Sequence, residues 1–335
     1  MKRLLSSLIN VCLVVSLGFV LSGCVTTRLP IASSSPWAEI QLETEANPLD
    51  LSFIDAEHGF LVGTNRLILE TTDAGKTWEE RKLELPEGEN FRLISIDFEG
   101  EEGWIAGQPG LVLHTSDSGS NWTRLLLGDQ LPGDPFLIAS IGADSAELAT
   151  TAGAVYRTTD AGANWEARVN DAEGGVRDLR RGPDGSFVSV SSLGNFFATL
   201  DPGENAWAPH QRASSKRVQS MGFQPGGDLW MLSQGAEIRL NDQPGDVESW
   251  RKPIIPITNG YNYLDLAWDS QGFIWAAGGN GTLLVSNDGG DTWEVDPVGD
   301  IQPTNLLRVI FDNRTENQPK GFVLGERGHL LRWAG

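Results

Sequence analysis

An octet recurs along the chain at near-even spacing: Thr71 to Trp78 (TTDAGKTW), Thr115 to Trp122 (TSDSGSNW), Thr158 to Trp165 (TTDAGANW) and Ser286 to Trp293 (SNDGGDTW). Its parts are those of a tight turn between strands. The Asp carboxylate accepts backbone N–H groups inside the turn, the Gly takes positive φ, and the Trp opens the next strand. This is the Asp-box pattern, and its chemistry is structural. The Trp residues alone widen the repeat: Trp37, Trp78, Trp122, Trp165, Trp207, Trp250 and Trp293 stand 41 to 44 residues apart. A period in the forties made of short strands is the signature of a β-propeller, one four-stranded blade per repeat.

The runs between the octets agree. Inner strands are read at Leu49 to Ile54, Phe91 to Phe98, Pro135 to Gly142, Gly175 to Arg181, Arg217 to Phe223, Tyr263 to Trp268 and Asn305 to Phe311. They are too short for helices, rich in Val, Ile, Leu and aromatics, and punctuated by Gly and Asp. The fourth and fifth units carry worn octets, Asp201-Pro202-Gly203 before Trp207 and Asn241 to Gly245 before Trp250. The last unit stops at Trp333-Ala334-Gly335, just after its third strand, whereas Trp37 to Leu42 reads as an outer strand with no unit before it. Joining the two completes a seventh blade and hides edges that would otherwise template aggregation. The expected fold is therefore all-β, a seven-bladed β-propeller over residues 37–335, closed by its N-terminal strand.

The first residues are a separate matter. Lys2 and Arg3, an apolar run from Leu4 to Leu21 and then Leu21-Ser22-Gly23-Cys24 make residues 1–23 a signal peptide. The tetrapeptide resembles the lipobox of bacterial lipoproteins, which implies cleavage before Cys24, a diacylglyceryl thioether on its sulfur and an acylated amino terminus. Cys12 leaves with the leader, so Cys24 is the single cysteine of the mature chain and no internal disulfide forms. Two or more acyl chains anchor a protein stably to a bilayer. Residues 24–36, rich in Ser, Thr and Pro, read as a tether between lipid and propeller. Loss of Lys2 and Arg3 takes the net charge from −20 to −22. So acidic a chain lacks the basic footprint that nucleic acid binding needs.

One unit breaks the rule the others keep. Inner strands one, two, five, six and seven place an aromatic near their ends (Phe53, Phe98, Phe223, Trp268, Phe311), where the fourth has Arg181. Strand alternation puts Arg177 and Arg181 on one face with Leu179, and Arg180 on the other with Asp178. Between Arg177 and Arg217 the basic residues Arg177, Arg180, Arg181, Arg212, Lys216 and Arg217 outnumber Asp178, Asp184, Asp201 and Glu204. Arginine suits bidentate capture of carboxylates. Two readings stay open: a partner-binding patch, or cations paired with the ring's own Asp and Glu. Catalytic signals are thin. His58, His114, His210 and His329 lie in different units at no metal-ligand spacing, and no phosphate loop or nucleophile elbow appears. No cofactor or metal is expected.

Over nearly the whole mature chain the sequence resembles the photosystem II stability and assembly factor of cyanobacteria and chloroplasts. The resemblance is carried by Pro36-Trp37, the octets, Val176-Arg177, Arg181-Gly182-Pro183, the run Trp207-Ala208-Pro209-His210-Gln211-Arg212 leading to Lys216-Arg217 and Met221-Gly222-Phe223, then Leu264-Asp265-Leu266-Ala267, Ala277-Gly278-Gly279 and Leu330-Leu331-Arg332. It implies a seven-bladed propeller on the lumenal side of the thylakoid membrane. It also implies a non-enzymatic chaperone for the newly made reaction-centre core subunit during early photosystem II assembly or repair, with an arginine patch matched by Arg177, Arg181, Arg212 and Arg217 and, conservatively, Lys216. Leu193 stands where relatives tend to have a further arginine. Two rivals keep the fold. A sialidase would need an Arg-Ile-Pro start, an arginine triad and a Tyr–Glu pair, but Phe91-Arg92-Leu93 lacks the proline and Tyr156, Tyr261 and Tyr263 sit in no recognisable site. A periplasmic glycan- or protein-binding propeller would change only the partner.

Overall fold

Each repeat forms one antiparallel meander. In the computed structural model, which describes residues 29–86, 88–127, 131–169, 174–211, 214–256, 260–299, 303–312 and 320–334, blade one runs Pro48–Phe53, Gly59–Gly63, Ile68–Thr71 and Glu79–Glu80, with neighbours paired in chain order. Blade four repeats the plan with Val176–Arg181, Phe187–Ser191, Phe196–Leu200 and Ala208–Gln211. Seven such sheets make the propeller. In the seventh, Trp37–Gln41 pairs antiparallel with His329–Trp333, in register from Trp37 opposite Trp333 to Gln41 opposite His329. The N-terminal strand thus supplies the missing outer strand of the last blade, as the sequence predicts.

Blade five is the exception. Its sheet has three strands, Val218–Phe223, Leu229–Ser233 and Glu237–Leu240. The fourth position is held only by isolated bridges, Asn241 with Trp250 and Ile238 with Ile254. Ile254 exchanges both backbone hydrogen bonds with Ile238, and Pro256, at the next inward-facing position, has no N–H to carry the ladder on.

The octets are turns that wedge one blade onto the one before it. In the first, Asp73 Oδ1 accepts the backbone N–H groups of Lys76 and Thr77, both at 2.9 Å, and Oδ2 accepts the Thr77 hydroxyl at 2.7 Å. Gly75 has φ +78, and a Cβ there would lie 2.6 Å from the Phe322 ring of blade seven. Trp78 packs edge-on against that same ring and against Phe53. The pattern repeats. Among the described residues the buried apolar side chains fall into seven clusters, one per blade interface, and the periodic Trp of each blade joins the cluster it shares with the preceding blade. The tryptophan period is therefore the period of the inter-blade core.

Around the central channel, side chains of one inner strand satisfy backbone donors of the next. Asp50 and Ser52 accept the N–H groups of Ile96 and Phe98, Ser95 that of Ile138, Asp97 that of Ser140, Asp178 that of Met221 and Asp265 that of Val309. An inner strand is a sheet edge, and buried edge donors need partners. Every inner strand also carries a register shift near its start, which leaves one residue out of the ladder: Leu49, Ile94, Phe136, Arg177, Gln219, Leu264 and Leu307 in turn.

The segment before the closing strand is pinned as well. Ile31 bridges Val295 in parallel, Val295 N–H donates to the Pro30 carbonyl at 2.8 Å, and Ala32 N–H donates to the Val295 carbonyl at 2.9 Å. Leu29 packs against the cluster between blades five and six. From Leu29 onward, what reads in the sequence as a free tether lies against the outer edge of blade six. Cys24 and the leader fall outside the described residues.

Candidate functional site: the basic end of blades four and five

The five predicted cationic residues that are described do not form one patch. Val176–Arg181 runs from the end of the propeller that carries the turns between second and third strands to the end that carries the octets. Arg177 and Arg181 therefore sit about 13 Å apart along it. The register shift between Val176 and Asp178 leaves Arg177 as the extra residue and breaks the alternation. Its guanidinium turns toward blade five, 3.4 Å from the Val218 carbonyl, while Leu179 and Arg181 turn toward blade three. The expectation that Arg177 and Arg181 share a face is thus corrected. Six of the seven bulged positions hold Leu, Ile, Phe or Gln, and only blade four puts a charge there.

Arg181 closes an ion pair at the octet end: its Nε lies 2.8 Å from Glu147 Oε2 of blade three, and Arg168 Nη1 lies 3.3 Å from the other oxygen. Arg180 lines the channel, a cavity of about 730 Å³, with Nη2 3.2 Å from Asp265 Oδ1 across the ring and Nε 3.5 Å from Asp178 Oδ1. Asp265 is 1 % exposed, and burial raises its carboxyl above the usual range although Arg180 and Arg308 pull it down. Arg308 in turn binds Asp50 at 2.8 Å. Lys216 is 2.8 Å from Glu237, which also holds Arg239 at 2.7 Å. These three predicted residues have carboxylate partners within the ring.

Arg177 and Arg217 are different. Arg217 Nη2 donates to the Ser192 carbonyl at 3.0 Å, and neither guanidinium is ion-paired to a carboxylate among the described residues. Both pack on Gly194, where a Cβ would lie 2.7 Å from Arg217 Cγ, 3.3 Å from Arg177 Nη1 and 2.3 Å from the Val218 carbonyl. Gly194 has φ +65, so glycine is required there for both conformation and space. Partial burial and then the like charge of Arg217 lower the pKa of Arg177. Leu193, 70 % exposed, stands on the same turn. The result is two adjacent cations beside an exposed apolar side chain, suited to an acidic or carboxylate-bearing segment with an apolar neighbour. Arg212 lies outside the described residues.

Among the described residues Tyr263 Oη is buried without a hydrogen-bond partner, and burial raises its pKa. Among the described residues no group of three His, Cys, Asp or Glu could hold a metal.

Residues 29–334 match the family described as photosynthesis system II assembly factor YCF48. A protein of Prochlorococcus marinus strain MIT 9313 described as a photosystem II assembly lipoprotein is 65 % identical over the full length of both chains. A solved structure described as YCF48 bound to D1 peptide superposes with a TM-score of 0.87 at 44 % identity, covering 92 % of this chain and 98 % of its own. YCF48 from Cyanidioschyzon merolae superposes at 0.83 with 34 % identity, covering 89 % and 98 %. With its seven blades, its closing strand and these matches along almost all of its length, the chain belongs to the photosynthesis system II assembly factor YCF48 family.

Proposed function

We propose that the protein is a lipid-anchored photosystem II assembly factor, carried by Cys24 on the lumenal side of the thylakoid membrane. In this reading it has no enzymatic activity and binds the newly made reaction-centre core subunit in early assembly or repair. The relatives' description as assembly lipoproteins and the D1 peptide bound by a 44 % identical structure support this reading. The observation that carries the site is the Arg177–Arg217 pair: two neighbouring guanidiniums, neither ion-paired to a carboxylate among the described residues, make a receptor for one. Arg212 and Lys216 flank it in sequence. Arg180 and Arg181 are assigned to holding blades together, through Asp265 and Glu147. Binding of a D1-derived peptide to the mature chain, followed by fluorescence anisotropy, tests the assignment. Charge-assisted hydrogen bonds contribute about 1.5–3 kcal/mol each, and solvent exposure reduces this. A loss of about 2 kcal/mol, roughly thirtyfold in Kd, is expected for Arg177→Ala with Arg217→Ala, with weaker binding at high salt. Unchanged affinity in the folded double variant would place the docking face elsewhere. Binding of glycan in place of the peptide would favour the periplasmic alternative.

A further inference from the structure

The clamped N-terminal segment limits how the propeller can sit on a membrane. Cys24 precedes Leu29 by five residues, which span at most roughly 18 Å when fully extended. Leu29 is fixed in the groove between blades five and six, so a lipid on Cys24 holds that rim, and no other, close to the bilayer. Blades two and three, across the channel, are held away from it.

The rim is built unlike the rest of the ring. Leu29 and Ile254 close the same apolar cluster, and the residues just beyond them in the chain, Ile31 at 63 % and Ile255 at 54 %, are exposed. Blade five has no regular fourth strand here; its outer edge is Arg251-Lys252-Pro253-Ile254-Ile255-Pro256. Arg251 is tied to Asp291 and the Gly289 carbonyl, while Lys252 is exposed. Arg28 stands next to Leu29 in the sequence. The Debye length at physiological salt is about 8 Å. A bilayer touching this rim therefore meets Lys252 and two isoleucines beside the exposed Asp291 and Glu294 of blade six, and is screened from most of the acidic charge on the other blades.

We infer that the rim of blades five and six is a membrane-contact edge, with Ile31 and Ile255 entering the headgroup region and Lys252 facing anionic lipid. The inference rests on the anchoring of Cys24 proposed above. It leaves the Arg177–Arg217 end, between blades four and five, uncovered and beside the membrane, where a segment leaving the same bilayer could reach it.

The test uses the mature acylated chain on vesicles of equimolar phosphatidylcholine and phosphatidylglycerol. Nitroxide labels are placed at Ile255→Cys or at Leu126→Cys, an 89 % exposed position on blade two; acylation consumes the Cys24 thiol. Vesicle flotation comes first, and failure to float would refute the anchor and the contact edge together. With flotation, the label at position 255 is expected to lose several-fold of its accessibility to an aqueous relaxant, while the label at position 126 keeps its own. Equal accessibility at both positions, or shielding at 126 alone, would overturn the edge and spare the anchor. Dipolar broadening between labels at 255 would show a second copy on this rim and would also overturn it.

Discussion

Arg180 separates a structural cation from a binding one, and replacing it has a calculable cost. In Arg180→Met the Asp265 carboxylate, 1 % exposed, loses the guanidinium 3.2 Å away. It keeps the Val309 N–H and the field of Arg308. Removing one partner of a buried pair costs about 3–5 kcal/mol, and the surviving partners put this case near the lower bound. At about 2–4 °C per kcal/mol for a large domain, the midpoint should fall by roughly 6–12 °C at neutral pH. The pH dependence has a definite sign. Burial already holds the folded carboxyl above its ordinary value, so ionised Asp265 costs stability at neutral pH, and acid returns that stability as the group protonates. Loss of Arg180 raises the carboxyl further, so the variant's deficit is full at neutral pH and narrows as pH falls. Thermal unfolding followed by circular dichroism at several pH values measures this, and Arg180→Met with Asp265→Asn closes the cycle. The double variant should recover most of the loss. A single variant within a degree of the parent, or a deficit that widens in acid, would refute the assignment of Arg180 to the ring.

Trp37 is 5 % exposed and meets Trp275 and Trp333 edge-on at 5.3 and 5.0 Å; Trp37→Ala should cost about 4 kcal/mol, and a melting temperature unchanged within a degree would contradict the closure. Trp165→Ala, at a half-buried octet position against Trp104, should cost somewhat less, about 3 kcal/mol, by the same assay. The hydroxyl and N–H of Thr292 hold Asp288 at about 2, and Thr77 with its neighbours holds Asp73 at about 2 against desolvation. Their stabilisation is complete above the ordinary carboxylate value of about 3.9 and is lost as pH falls toward 2, so NMR titration should find both carboxyls well below that value. Arg177→Leu, which gives blade four the apolar residue found at the bulge of blades one, six and seven, should leave the free protein as stable as the parent or slightly more so while weakening peptide binding; equal binding would remove Arg177 from the site.

What was legible in the sequence was periodic. The tryptophans marked the blade because each one wedges into the interface with the blade before it, a role that recurs wherever the repeat does. The closing strand was legible by subtraction, from one strand lacking at the C-terminus and one left over at the N-terminus. The missing fourth strand of blade five was not read, since every repeat was expected to carry four strands. The site was legible as composition but not as geometry. Alternation grouped Arg177 with Arg181 because a bulge leaves no mark in a six-residue strand. Pairings such as Arg181 with Glu147, or Arg180 with Asp265, join residues 34 and 85 positions apart, and no local pattern reports them. Within the cationic stretch Arg180, Arg181 and Lys216 are paired inside the ring, and Arg177 and Arg217 have no ion pair to a carboxylate among the described residues.

That division bears on why the basic residues gather in blades four and five. Several buried acids are paired within the ring: Glu147 takes two arginines, Glu237 takes a lysine and an arginine, Asp50 takes Arg308 of the neighbouring blade and Asp265 takes Arg180 across the channel. An acid beside Gly194 would have neutralised Arg177 and Arg217 in the same way. Instead partial burial, and then their mutual repulsion, lower the pKa of Arg177 against the opposing field of Asp178. In the proposed docking site an anion arriving there would remove a penalty as well as gain two donors, so the proposal expects the pair to discriminate for carboxylates more sharply than two isolated surface arginines would.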